Sequence, residues 1–158
     1  MGLGMKLRVH HLLCSALYRG KGYSEAFCEN MERTVNWLWR NGPEQPLPQK
    51  GASSSAACAE DERIVELCIC PDAICQACPN LADGACTLDD NRVVPKDARL
   101  AEALHLQTGR AYLVQELLLH VKENLTEEIF EASCRKCEWY QQKLCSYKEL
   151  AKRYDGFL

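Results

Sequence analysis

The chain has 158 residues, with 19 Lys plus Arg against 22 Asp plus Glu and a net charge of -3. That length supports one domain with a real hydrophobic core. The charge balance excludes a strongly basic nucleic-acid binder and gives no global attraction to an anionic membrane. The anomaly is 11 cysteines.

The first apolar stretch is interrupted by His10 and His11 and does not run on to a small-residue cleavage site, so no secretory signal is read. No run approaches the about 18 apolar residues of a membrane span. A cytoplasmic chain is therefore expected. Structural disulfides are rare there, and an odd cysteine count suits a paired scaffold poorly. Clustered cysteines in that setting point to metal.

Leu3 to Val9 reads as a short extended segment, followed by a helical piece over Leu12 to Tyr18. Arg19-Gly20-Lys21-Gly22 reads as a turn. Ser24 is placed to cap a helix over 25–39, where Phe27, Met31, Val35 and Leu38 recur at helical spacing. Pro43, Pro46, Pro48, Gly51 and Ser53 to Ser55 make 41–60 a flexible excursion from a single domain spanning 1–158. Arg63 to Ile69 reads as a strand. A cysteine-rich loop over 71–95 precedes a helix over 97–107, terminated near Gly109. A further helix over 112–123 buries Leu113, Leu117, Leu118 and Val121. Thr126 caps another, carrying Ile129 and Phe130 toward Cys134. A second cysteine-rich loop fills 134–145, and a short polar helix closes at 147–153. The fold class expected is mainly α with a minor β component (α+β), its short helices stapled by two cysteine-rich metal-binding loops.

The two loops share one spacing. Cys75-x-x-Cys78 is followed by seven residues and Cys86; Cys134-x-x-Cys137 is followed by seven residues and Cys145. A C-x-x-C turn lets two thiolates converge on one metal, and the third returns from a short loop. Four ligands complete a tetrahedral zinc site or an iron–sulfur cluster. Each triplet is one ligand short. Cys14, with His10 and His11 just before it, offers what is missing, since His11 and Cys14 share a helical face. Six loop cysteines, Cys14 and one histidine make eight ligands, enough for two centres. One centre built from both C-x-x-C pairs is the alternative. Cys28 reads as a core residue. Cys68 and Cys70 lie outside the two triplets.

These residues resemble a family of small bacterial and archaeal domains of unknown function that carry an iron–sulfur label. The resemblance rests on Leu7 to Cys14, Arg19 to Ser24, Phe27, Glu29 to Met31, Pro71 to Leu81 with Cys86, and Phe130, Cys134, Cys137-Glu138-Trp139 and Cys145. It implies that Cys14, the loop cysteines and a histidine from the pair are the functional residues.

An iron–sulfur protein is the leading expectation, holding a 4Fe–4S cluster for electron transfer or redox sensing and meeting a redox-protein partner. Zinc is the alternative cofactor, in a structural or interaction role. The third reading is a metal-dependent enzyme using His10 or His11 as acid or base. Neither a membrane nor nucleic acid is an expected partner.

Overall fold

The computed structural model describes residues 4–20, 22–39, 63–87 and 93–157. Strand β1 (Gly4–Arg8) lies parallel to β2 (Ile64–Cys68), with Arg8 opposite Cys68. A third strand, β5 (Ala111–Leu113), pairs with β2 in the antiparallel sense, so the order is β1-β2-β5. Leu7, Val65 and Leu67 are fully buried from this small sheet. The architecture is α+β, with helices dominant.

Helix α1 (His11–Leu17) follows β1 and buries Leu12 and Leu13. Helix α2 (Glu25–Trp39) occupies the span its sequence period predicts, capped by Ser24, whose Oγ accepts from Phe27 N at 3.1 Å. The buried Arg63 donates to the Trp37 and Leu38 carbonyls at its far end, where a cation meets the negative end of the helix. Beyond β2 come a 3-10 turn at Cys75–Ala77 and a hairpin of β3 (Leu81–Ala82) and β4 (Ala85–Cys86). Asp83 and Gly84 turn that hairpin with φ of 50° and 75°, as a two-residue loop of this kind demands.

Helices α3 (Val93–Ala103), α4 (Val114–Asn124), α5 (Glu127–Cys134), α6 (Glu138–Gln141) and α7 (Tyr147–Phe157) complete the order. The core joins Leu12 and Leu13 to Met31 and Leu38, to Leu117 and Leu118, and to Phe130, Leu150 and Tyr154. Tyr154 Oη donates to the Leu12 carbonyl at 3.0 Å, tying the last helix to the first.

Several boundaries differ from expectation. Helix α3 starts at Val93 rather than 97, because Pro95 is tolerated within a first helical turn. It also ends earlier, and Gly109 does not terminate it. Gly109 instead has φ 81° and donates to the Leu67 carbonyl on the way into β5. Strand β5 takes the residues expected to open α4, so Leu113 is exposed opposite Ile64 and Val114 is buried in its place. Helix α7 outruns the 147–153 prediction because Leu150 and Tyr154, one turn apart, give it a buried face. The 41–60 excursion lies outside the described residues. Among them, no helix is long and apolar enough to cross a membrane.

Candidate metal centre

Because β1 and β2 run parallel, the segments leaving their C-terminal ends emerge side by side. His10 and His11 follow β1, and Asp72 follows β2. Asp72 is buried and shared three ways. Its Oδ2 accepts from Arg8 N at 2.7 Å and pairs with His11 Nδ1 at 2.6 Å, while Oδ1 accepts from Cys75 N at 3.0 Å. That last bond is a local Asp-x-x-Cys cap, which fixes Asp72 beside the first cysteine of its loop.

Asp97, on α3 and fully buried, makes a second such junction. Its Oδ1 meets His10 N at 2.8 Å and His10 Nδ1 at 2.7 Å, and its Oδ2 accepts from Arg8 Nε at 2.8 Å. The neighbouring imidazoles therefore diverge to different carboxylates, with ring centres 4.2 Å apart. A carboxylate on one ring nitrogen fixes the tautomer and leaves Nε2 as the free lone pair, the arrangement found behind metal-binding histidines.

The electrostatics follow from burial. Burial pushes both carboxyls up, but their hydrogen-bonded partners outweigh it. His11, Arg8 N and Cys75 hold Asp72 well below the usual carboxylate range, and His10 and Arg8 hold Asp97 below it. Burial, then repulsion from His11, lowers His10 to about 4 against the bond to Asp97, so its ring is neutral near pH 7. Cys75 is pushed up to about 12 by burial and the Asp72 charge.

The two C-x-x-C segments fold alike at the backbone. Cys78 N donates to Cys75 O at 3.0 Å, and Cys137 N to Cys134 O at 2.8 Å. The seven-residue spacers do not. The first is the β3–β4 hairpin; the second is α6, with Lys143 at φ 61° reversing the chain before Cys145.

His10, His11, Cys14, Cys75, Cys78, Cys86 and Cys137 all line one cavity of about 110 Å³, with Lys96 at its wall and the stacked rings of Tyr23 and Trp139 along one side. Cys14 also lines an adjacent cavity with Cys145. Burial raises the Cys14 thiol well above its ordinary value, with Lys96 opposing and Cys134, Cys137 and Cys145 adding to the rise. Burial raises Cys134 to about 11, again against Lys96 and with Cys137 and Cys145. Burial alone would lower Lys96, yet it is raised, because Cys14, Cys134 and Cys137 face it.

The expected grouping of six loop cysteines, Cys14 and one histidine into two four-ligand centres differs from the grouping of ligand atoms in the structure. Among the described residues, one group brings three ligand atoms within 4.8 Å of one another: His11, Asp72 and Cys75. It takes one thiol from the first triplet, one histidine from the N-terminal motif, and a carboxylate that spacing did not include. Cys78 and Cys86 line the cavity outside this group, and His10 is turned to Asp97. The Asp-x-x-Cys cap was a readable signal for Asp72. Asp97 and Lys96 carried none, since 87 residues separate Asp97 from His10.

The group suits a metal by its donor chemistry. Nitrogen, thiolate and carboxylate together fit a borderline ion such as zinc or iron. Thiols that burial keeps protonated can ionise once a cation compensates, so binding would release protons.

No curated protein and no solved structure matches the chain. A family model, DUF1284, described as a protein of unknown function, matches residues 52–145, more than half of the chain. The matched span holds both cysteine triplets, Asp72 and Asp97, and leaves His10, His11 and Cys14 outside it. The chain belongs to the DUF1284 family of proteins of unknown function.

Proposed function

We propose that this protein binds one zinc-type ion at His11, Asp72 and Cys75, with the remaining coordination position facing the cysteine-lined cavity. The observation that carries this is the convergence of three different ligand types within 4.8 Å. Three protein ligands and an open position are the pattern of reactive rather than purely structural zinc. The ion would supply Lewis acidity there. The chain supplies the rest. The Arg8 and Cys75 amides fix Asp72. His10 is neutral, donates Nδ1–H to Asp97, and keeps Nε2 available to accept a proton at the same cavity. The apolar lining from Phe27, Met31, Ile74 and Val93 limits water.

A second reading rests on a different observation. Cys14, Cys134, Cys137 and Cys145 act on one another electrostatically around Lys96. An all-thiolate set of four suits a 4Fe–4S cluster as well as zinc, with Lys96 offsetting the cluster's charge and a redox protein as partner.

Anaerobic purification followed by zinc, iron and sulfide analysis separates the two. Zinc without sulfide, lost in His11→Ala and Cys75→Ser but retained in Cys137→Ser, supports the mixed centre. Brown protein with iron and sulfide, bleached in Cys137→Ser, supports the cluster. Neither metal overturns both.

A further inference from the structure

We propose that Cys68 and Cys70 form a reversible thiol–disulfide pair, separate from the metal centre. As i and i+2 on a continued strand these residues would share one face, at roughly 7 Å between Cα atoms. The strand ends at Cys68, however, and a bend at 69–70 folds the pair together. Cys68 Sγ donates to the Cys70 carbonyl at 3.3 Å, which turns the Cys68 thiol toward residue 70. The bend is clamped from the next strand, where Arg8 Nη2 donates to the Ile69 carbonyl at 2.8 Å. Residues two apart cannot exceed roughly 7 Å between Cα atoms even when extended, and a bend shortens that. The pair thus falls within the Cα separation that a disulfide spans.

Exposure divides the roles. Cys70 is exposed and Cys68 is buried, with 7% of its surface accessible. A dissolved disulfide therefore reaches Cys70 first, and the covered Cys68 is the resolving thiol. Neither thiol lines the cavity shared by Cys14, Cys75, Cys78, Cys86 and Cys137. The co-reactant is a low-molecular-weight disulfide. Cys70, as thiolate, attacks one of its sulfurs, forming a mixed disulfide and expelling the first small thiolate. Cys68 then loses its proton, attacks Cys70 Sγ, and expels the second. Two protein thiols are oxidised, one small disulfide is reduced to two thiols, and the two protein protons end on those thiols.

The site lies two residues before Asp72, and its clamp, Arg8, also donates its backbone N–H to Asp72. Oxidation is thus read at the edge of the metal centre without consuming a cavity thiol.

The test uses the full chain as purified with its metal, treated with oxidised glutathione, acid-quenched and cleaved at Arg63 and before Asp72. The peptide 64–71 then carries these two cysteines and no other. We expect it to lose two hydrogens and regain them with dithiothreitol. In Cys68→Ser, glutathione should accumulate on Cys70 at ten-fold or more above the wild-type level. In Cys70→Ser, Cys68 should stay free. A wild-type peptide with both thiols intact, with glutathione on each, or cross-linked to Cys75 would overturn the proposal. That readout is on the wild-type chain, so it stands even if a variant fails to fold.

Discussion

Asp97 illustrates how much one side chain can hold. Its carboxylate takes Arg8, the His10 amide and the His10 ring, all at or below 2.8 Å, in a fully buried setting. Removing one partner of a buried pair leaves an uncompensated charge, here the Arg8 guanidinium. Asp97→Ala should therefore cost about 3–5 kcal/mol in urea unfolding. The same junction sets a pH dependence. His10 has an ordinary value of 6.5 and a folded value of about 4. On acidification the unfolded chain takes up that proton first, so the contribution is fully present above pH 6.5 and is lost as pH falls toward 4. For metal-free protein the loss should be about 3 kcal/mol across that window. His10→Gln should flatten the urea midpoint there. The depressed carboxyls of Asp72 and Asp97 act lower, present above 3.8 and lost as pH falls through their folded values.

At the scale of elements, short helices depend on their ends. Helix α5 has eight residues and begins at Thr126, whose Oγ1 accepts from Ile129 N at 3.2 Å. Glu127 and Glu128 add negative charge at its positive end. An isolated helix of that length does not hold in water, so the cap and the burial of Phe130 carry it. Thr126→Ala should destabilise the protein by about 1 kcal/mol in urea unfolding. The helix delivers Cys134, and fraying at its start should leave metal content unchanged, because Cys134 sits at the opposite end. Close packing matters as well. A Cβ on Gly22 would come within 2.4 Å of Phe27 Cδ1 and 2.9 Å of Cys28 Sγ. That holds the chain tightly against α2 just before Tyr23 reaches the cavity.

For the whole molecule, the cavity is a meeting point of distant segments. Its walls come from β1 and α1, from α2, from the loop after β2, from α3 and from α6. No one of them makes the site alone, so a ligand there stabilises the global fold. A metal at 100 times its Kd adds about 2.7 kcal/mol, which for a chain of this size is roughly 5–10 °C in Tm. Chelation should lower the melting temperature by that amount. The shift should disappear in Cys75→Ser and persist in Cys28→Ala, because Cys28 packs beside Gly20 and Gly22, away from the three ligand atoms.

The local signals in the chain were strong where structure is local. The period of Phe27, Met31, Val35 and Leu38 and the Ser24 cap predict α2 to the residue, and Thr126 predicts α5. The strand at Ile64 and the C-x-x-C turns are equally local, since each is decided by neighbours within a few positions. Repeated spacing singled out the six loop cysteines and the ligand count added the His10–Cys14 motif; the cavity brings together both histidines, Cys14, Cys75, Cys78, Cys86 and Cys137. Spacing could not decide which groups approach which. That depends on parallel pairing of β1 with β2, which sets His11 beside Asp72, and on α3 crossing to put Asp97 behind His10 and Lys96 among the thiols. Spacers of equal length, seven residues each, became a hairpin in one loop and a helix in the other, because Asp83-Gly84 turns tightly and Glu138-Trp139-Tyr140 does not. The sequence by itself determined the main helices, the strand at Ile64 and the thiol and imidazole ligand types, which follow from side chains near in the chain; only the tertiary structure decided the short strands, the carboxylate ligand and the grouping, because contacts across 61 residues for His11 and Asp72 and 87 for His10 and Asp97 are settled by packing.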